Sequence, residues 1–335
     1  MSETHYAVLG AGSWGTALAM LLANNGHPTT LWAHTPSHAA ALNKDRANLK
    51  HLGNLKFPDL LAISDELGTT IENANTILIV VPSHSFRSTC KTLAPIIKPH
   101  QKIAWASKGL ETDSCKLLHQ IALEEFPTST PLAVLSGPTF AKEVAQGLPG
   151  AVTIASTEKE FAFELATDCH ANMFRAYTSS DMIGVEIGGA VKNVMAIAAG
   201  IADGLGFGSN TRAALIARGV AEMMRLGITL GAQKDTFMGL TGLGDLVLTC
   251  SDNQSRNRRF GIALGKGKTQ QQALDDIQQV VEGRFTAKAV YQLAQQHEID
   301  MPITEQVYKV LFEELDPKIA AQSLMERAVR PETDL

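Results

Sequence analysis

The residues that most restrict the fold stand at the start of the chain, where Tyr6-Ala7-Val8-Leu9 runs straight into Gly10-Ala11-Gly12-Ser13-Trp14-Gly15. Beyond it, Trp14, Ala17, Leu18, Leu21 and Leu22 recur at helical spacing as far as Asn25-Gly26. The pattern reads as a strand, a glycine turn and a helix. Each glycine has a separate task in such a turn. Gly10 permits the tight bend, Gly12 lets the backbone approach a pyrophosphate, and Gly15 lets the helix pack closely on the strand. The free N–H groups and positive dipole end of the helix then face the phosphates. Glycine-rich loops throw up the same spacing by chance, and the competing reading is an ordinary tight turn. The strand before it and the helix after it favour a dinucleotide site.

At 335 residues the chain exceeds the size at which single cores stop growing, so two domains are expected. Its net charge of −5 gives no general reason to bind nucleic acid or an anionic membrane. Cys90, Cys115, Cys169 and Cys250 contain no C-x-x-C pair, which fits neither a zinc site nor a disulfide framework; no metal is expected, and reduced thiols in the cytoplasm are the simplest reading. Met1-Ser2-Glu3-Thr4-His5 is not a basic segment leading into an apolar one, and no later apolar run reaches about 18 residues. A soluble, cytoplasmic protein without membrane insertion is expected.

The first half alternates strands and helices. Thr29 to Ala33 reads as a second strand and Ser37 to Asn48 as a helix. The end of that strand should carry an acid for an adenosine ribose or a base for a 2′-phosphate, and it offers His34 instead. His34 suits either group, and equally suits a plain surface position. Leu60 to Ile63 is a short strand candidate, with Ser64-Asp65-Glu66 as a helix start. Thr76 to Val81 is continuous and β-branched, as a strand buried on both faces should be. A helix from about Ser85 to Leu93 follows, then strands at Lys102 to Ala106 and Leu132 to Leu135. These strands deliver Pro82-Ser83, Ser107-Lys108-Gly109 and Ser136-Gly137-Pro138-Thr139 to their carboxyl ends, where ligands sit in open α/β sheets. Ala151 to Ala155, a helix from Phe161 to Cys169, and Phe174 to Tyr177 complete a first domain of residues 1–180.

From Asp181 the composition turns to Ala, Gly, Leu and Met with few strand-like runs, so residues 181–335 are expected to form a helical domain. Its predicted helices are Val185 to Ala202, Arg212 to Leu230, Arg258 to Leu264, Gln270 to Gln279, Phe285 to His297 and Ile303 to Phe312. On the first, Lys192 shares a face with Val185, Gly188, Gly189, Met195, Ala196 and Ala199. A lysine in that company either snorkels outward or meets a partner in the core. Gly188-Gly189 costs about 1 kcal/mol per glycine against alanine, which points to close approach by another backbone or a ligand. Further on, Gly239-Leu240-Thr241-Gly242-Leu243-Gly244-Asp245 places an acid in a glycine-rich turn. Ser255-Arg256-Asn257-Arg258-Arg259 then puts three arginines into four positions at a helix start. Ser255 suits an N-cap, and Arg256, Asn257 and the free amides suit a phosphate. A solvated polar turn is the bland alternative. A nucleic-acid patch is disfavoured by the acidic balance and the lack of interleaved aromatics.

The set GAGSWGTALA, SKGLE, SGPTFAKE, GGAVKNVMAIAAG, GLTGLGDLVLTC, SRNRRFG and VVEG, in this order and at these separations, resembles the bacterial NAD(P)-dependent glycerol-3-phosphate dehydrogenases from about Tyr6 to Phe312. The resemblance implies a Rossmann-type α/β dinucleotide-binding domain followed by an all-α domain. It implies that Ser13, Trp14, His34, Lys108, Ala141, Arg256, Val280 and Glu282 meet the cofactor, with Gly10, Gly12 and Gly15 in the turn. Lys108, Gly137, Thr139, Lys192, Asp245, Ser255, Arg256 and Asn257 would meet the substrate, with Lys192 the proton carrier and Lys108 and Asp245 beside it. Many members carry arginine at the position of His34, so the choice between NAD and NADP stays open. Ala217-Arg218-Gly219-Val220-Ala221-Glu222 differs slightly from the family's Thr-Arg-Gly-Leu-Ala-Glu.

The implied reaction interconverts dihydroxyacetone phosphate and sn-glycerol 3-phosphate, supplying the latter for phospholipid synthesis. Burial and a nearby Lys108 would lower the pKa of Lys192, and a nearby Asp245 would raise it. Sequence does not rank these effects. Two other readings are a 3-hydroxyacid or ketopantoate reductase on the same architecture, and a dinucleotide sensor without turnover. The Ala- and Gly-rich helices are compatible with a homodimer.

Overall fold

The structure is a computed structural model that describes residues 4–171, 173–329 and 331–332. The chain divides into two compact units, residues 1–107 with 119–182, and residues 108–118 with 183–335.

In the first unit the strands are β1 (Tyr6–Leu9), β2 (Thr29–Trp32), β3 (Leu61–Ser64), β4 (Thr76–Ile79), β5 (Lys102–Trp105), β6 (Leu132–Ser136), β7 (Gly150–Ser156) and β8 (Phe174–Ser179). They form an eight-stranded sheet in the order β3-β2-β1-β4-β5-β6-β7-β8. Every pairing is parallel except β6 with β7. The central strands β1 and β4 are buried along their whole length, which is why they read as unbroken apolar runs. The connecting helices are α1 (Ser13–Asn24), α2 (Pro36–Asp45), α3 (Leu49–Leu52), α4 (Leu67–Ile71), α5 (Ser83–Leu93), α6 (Leu118–Glu125), α7 (Ala141–Ala145) and α8 (Lys159–Cys169). Helix α1 buries Ala17, Leu18, Leu21 and Leu22, each leucine contributing roughly 1.5–3 kcal/mol. The α/β layering follows the expectation, with α2 ending three residues early. Arg46 turns left-handed (φ 46°) and its guanidinium caps the carbonyls of Leu61 and Pro58 at 2.7 and 2.8 Å. That tertiary anchor ends the helix before Asn48. The start expected at Ser64 becomes the short α4 beginning at Leu67.

The second unit is helical: α9 (Met182–Gly204), α10 (Ser209–Thr229), α11 (Asp245–Ser251), α12 (Arg256–Gly265), α13 (Gln270–Ile277), α14 (Glu282–Gln296), α15 (Pro302–Phe312) and α16 (Pro317–Met325). Helix α9 is the spindle. It is long and apolar enough to cross a membrane, yet 94% of its most apolar window is buried inside the protein. Its glycines set how closely its neighbours approach. A Cβ at Gly200 would lie 2.2 Å from the Arg258 carbonyl oxygen, and one at Gly204 would lie 2.4 Å from that of Ile262. From the other side, Gly261 and Gly265 meet the Ile197 and Ile201 carbonyls in the same way, at 2.1 and 2.4 Å. Helices α9 and α12 therefore cross backbone against backbone.

Helix α15 is held by Glu222 of α10. The carboxylate is fully buried and accepts from the Ile303 and Thr304 amides at 2.6 and 3.1 Å and from the Thr304 hydroxyl at 2.9 Å. It satisfies N–H groups that the first turn of α15 would otherwise leave without partners. Burial pushes its pKa up to about 7 against the pull of those three donors.

Candidate active site

In the first unit, the glycine turn divides its tasks. Gly10 is left-handed (φ 122°), and a Cβ there would strike the Val80 carbonyl oxygen at 2.3 Å. A Cβ at Gly15 would meet the Gly10 oxygen at 1.9 Å, so helix and strand touch through it. Gly12 differs: nothing lies within 4 Å of the place its Cβ would take. The protein itself does not require a glycine at that spot, and the opening at the N-terminus of α1 fits a dinucleotide's pyrophosphate. Asn48, fully buried, supports the turn from behind. Its amide donates to the Ala11 carbonyl at 3.1 Å and to the Thr16 hydroxyl at 2.8 Å. It carries no local sequence signal, because its partners lie more than thirty positions away.

Around this turn, Ser13 and Trp14 begin α1. His34, exposed just past β2, has its ring edge-on to Trp32 at 5.5 Å. Ala141 opens α7. Gly137 follows β6, where a Cβ would come 2.9 Å from the Ala151 oxygen of β7, and the Thr139 hydroxyl donates to the Gly137 carbonyl at 3.2 Å.

The second unit contains Lys108, Lys192, Asp245, Ser255, Arg256, Asn257, Val280 and Glu282. Three of them meet directly. Lys192 Nζ donates to Asp245 Oδ1 at 2.5 Å and to Thr249 Oγ1 at 3.0 Å, and Lys108 Nζ donates to Asp245 Oδ2 at 2.8 Å. The Thr249 hydroxyl lies 3.3 Å from Asp245 Oδ1 and closes the triangle. Lys192 thus has a partner in the core, and that partner is Asp245. The carboxylate is almost wholly enclosed, at 1% side-chain exposure, while Lys192 retains 9% and Lys108 15%.

Asp245 reaches this position by a local departure from the expected turn. Leu240–Gly244 forms a single wide π turn, and Asp245 is the first residue of α11. The turn docks on α9: Thr241 donates to the Val185 carbonyl at 3.0 Å, and a Cβ at Gly188 would lie 2.6 Å from the Thr241 oxygen. Gly188 is therefore bare because another backbone rests on it. A Cβ at Gly242 would in turn strike the Phe237 oxygen at 2.1 Å. With α11 helical, Asp245 and Thr249 stand four residues apart on one face, a signal that only a helical reading of the segment exposes.

Burial lowers the Lys192 pKa to about 8; Asp245 opposes the shift and Lys108 reinforces it. Desolvation is the largest influence, ahead of the opposing charge of Asp245.

At the start of α12, Ser255 is the N-cap and accepts from the Arg258 amide at 3.2 Å. The three arginines have different roles. Arg258 is buried and pairs with Asp203 at 2.5 Å, an acid that Arg212 also grips at 3.0 Å. Arg259 is exposed. Arg256 lies half-buried at the helix N-terminus, its pKa lowered by burial and supported by Glu282. The Asn257 amide donates to Asn193 Oδ1 at 2.9 Å, and its Oδ1 accepts from the Gly283 amide at 2.9 Å. Val280 precedes α14 and is 36% exposed, and Glu282 is the first residue of α14.

An enclosed ammonium with a lowered pKa can exchange a proton near neutral pH, and a capped helix N-terminus beside an arginine can hold a phosphate. Residues 5–162 match the family model for the N-terminus of NAD-dependent glycerol-3-phosphate dehydrogenase, and residues 181–322 match that for its C-terminus. The chain is 54% identical to the glycerol-3-phosphate dehydrogenase [NAD(P)+] of Colwellia psychrerythraea, over 96% of each chain. To the enzyme of that name from Haemophilus influenzae it is 52% identical, over 99% of each. The crystal structure of glycerol-3-phosphate dehydrogenase from Coxiella burnetii superposes with a TM-score of 0.94 at 47% identity, covering 97% of this chain and 99% of that one. The chain belongs to the NAD(P)-dependent glycerol-3-phosphate dehydrogenase family.

Proposed function

We propose that this protein interconverts dihydroxyacetone phosphate and sn-glycerol 3-phosphate, with Lys192 as the group that exchanges the proton. The observation that carries the reading is the enclosed Lys192 ammonium, held by Asp245 and Thr249 with its pKa near 8. NAD(P)H, when bound, would supply the hydride that reduces C2 of the ketone. The oxygen on C2 gains negative charge as its double bond opens, and Lys192 Nζ gives it a proton, leaving a neutral amine and a hydroxyl. In reverse, the neutral amine takes that proton back. Asp245 fixes the ammonium in one orientation, and Lys108, on the same carboxylate, adds positive charge toward the developing oxyanion.

The Arg256 and Asn257 backbone amides, in the first turn of α12, and the Arg256 guanidinium bind the phosphate. Ser255 holds the first turn in shape. The phosphate is remote from the reacting carbon, so its binding energy orients that carbon. Gly137 and Thr139 complete the substrate contacts. Ser13, Trp14, His34, Lys108, Ala141, Arg256, Val280 and Glu282 serve the cofactor with Gly10, Gly12 and Gly15. We further place the enzyme in the cytoplasm as a homodimer supplying glycerol 3-phosphate for phospholipid synthesis, without nucleic-acid binding or membrane insertion. The acidic balance, the four buried free thiols and the enclosure of α9 support the cytoplasmic placement and the absence of nucleic-acid binding and membrane insertion.

The test is loss of reduced-nicotinamide absorbance on adding dihydroxyacetone phosphate, with NADH and NADPH in parallel and repeated with Arg256→Ala. Rapid oxidation is expected, with a Michaelis constant raised about tenfold or more by the substitution, since a charge-assisted phosphate contact is lost. No oxidation by folded, dinucleotide-binding protein refutes the reading and directs attention to phosphate-free 2-ketoacids.

A further inference from the structure

Asn257 has two roles that are separable. Its backbone amide belongs to the first turn of α12, where the proposed reading puts the substrate phosphate. Its carboxamide is turned inward and is used on both sides. Because the Gly283 N–H can only donate, Asn257 must present Oδ1 to it, at 2.9 Å. That choice leaves Nδ2 for the other side, where it donates to Asn193 Oδ1 at 2.9 Å. Asn193 must then accept through its oxygen, and its own amide turns to the Gly189 carbonyl at 3.4 Å. The result is a hydrogen-bonded chain of one direction, running from the first turn of α14 through α12 into α9, where Asn193 is the residue after Lys192. Both asparagines are over nine-tenths buried. Gly283 is seated hard against the chain, since a Cβ there would lie 2.7 Å from the Asn193 carbonyl oxygen and 2.8 Å from Asn257 Oδ1.

The turn so fastened is Val280 to Gly283, which holds two of the residues of this unit that the proposed reading assigns to the cofactor. A ligand on the residue 257 amide therefore acts on the residue whose side chain holds the cofactor turn. We propose that Asn257 is a positioning residue that couples the two ligands: a phosphate monoester at the start of α12 and a dinucleotide at Val280 and Glu282 each strengthen the binding of the other through the Asn257 carboxamide. By linkage the effect is reciprocal. The inference rests on the dehydrogenase reading for the identity of both ligands, and on the hydrogen-bonded chain for the coupling.

The test uses NADH with sn-glycerol 3-phosphate, a pair that cannot react because both are reduced. In the wild type, saturating glycerol 3-phosphate should lower the NADH dissociation constant by about fivefold or more, the range of ordinary coupling energies. Asn257→Ala keeps the backbone amide and removes the bridge, so it should abolish that change. Asn193→Ala, which leaves residue 257 untouched, should do the same. A second readout needs no ligand: exchange of the Gly283 amide in the free protein should be slow in the wild type and faster in both variants, at a pH and temperature where thermal melts show all three folded. Retained coupling in Asn257→Ala, or unchanged Gly283 exchange in it, overturns the proposal. So does a wild type that reduces dihydroxyacetone phosphate yet shows no coupling. A wild type that does not reduce dihydroxyacetone phosphate fails the dehydrogenase reading instead, and the Gly283 exchange then still decides whether the bridge exists.

Discussion

Lys108→Met isolates the electrostatic design of the lysine pair. Lys108 and Lys192 occupy opposite oxygens of the Asp245 carboxylate, at 2.8 and 2.5 Å. They share one carboxylate, and two unit charges about 5 Å apart repel by about 3 kcal/mol at an effective dielectric near 20. With 15% of the Lys108 side chain exposed, water screens part of this, and a working figure is about one to two pKa units. Methionine keeps most of the stem and removes the charge. Asp245 is then left to Lys192 alone, which acts in the same direction. The Lys192 pKa should rise from about 8 by that amount. In the reductive direction the lysine must carry a proton, so kcat/KM for dihydroxyacetone phosphate at saturating NADH is flat on the acid side and falls above the pKa. The alkaline limb should move upward by about one to two pH units in the variant, whatever its plateau height. The plateau itself should drop, because Lys108 no longer faces the oxyanion. A limb displaced by less than half a unit, or moved to lower pH, refutes the argument that Lys108 sets the acidity of Lys192.

Removing the proton carrier in Lys192→Ala should cost about two to four orders of magnitude in turnover while NADH affinity stays near wild type; turnover within threefold of wild type takes the residue out of the mechanism. Gly188→Ala gains about 1 kcal/mol of helix propensity but sets a methyl against the Thr241 oxygen, so a net loss of about 1–3 kcal/mol is expected by urea unfolding, and a stabilised variant contradicts the close approach. Glu222 binds a proton more tightly folded than unfolded, so its contribution is fully present below about pH 4.5 and is lost as pH rises through about 7. The loss is on the order of 3 kcal/mol, and Glu222→Gln should flatten that part of a stability profile run from pH 5 to 8.

Elements whose signal is local were legible in the sequence. Strands β1 and β4 are unbroken apolar runs because both faces are covered, and the turn after β1 has glycine where the backbone requires it. The cap at Ser255 was equally readable, since it depends on one hydroxyl and one amide three residues on. Helix α16 is not among the expected helices, although Asp316 and Pro317 mark its start, with Asp316 accepting from the Lys318 amide. Helix α11 was hidden for a different reason. Three glycines in six residues look like a loop, and only the Phe237 backbone lying against Gly242 and the Thr241 backbone lying against Gly188 of α9 show that the turn is packed. The partner of Lys192 lies 53 positions away, and that of Asn257 lies 64 away. No periodicity carries such pairs. For the same reason Thr249, Asn193 and Asn48 carry no local signal: each is a buried polar residue defined by what it touches.

The crossing of α9 and α12 has a bearing on which substrates fit. Gly200 and Gly204 meet Gly261 and Gly265 with no side chain between the two main chains. Rotamers elsewhere in a core can give way by a few tenths of an ångström, but here there are none to turn. Lys192 lies on one of these helices and the amides proposed to bind the phosphate begin the other, so in that reading the crossing acts as a fixed gauge of the span between a carbonyl and its phosphate. A ketone phosphate one carbon longer should not be accommodated by small adjustments, and should be refused for its length even though its ends are chemically correct.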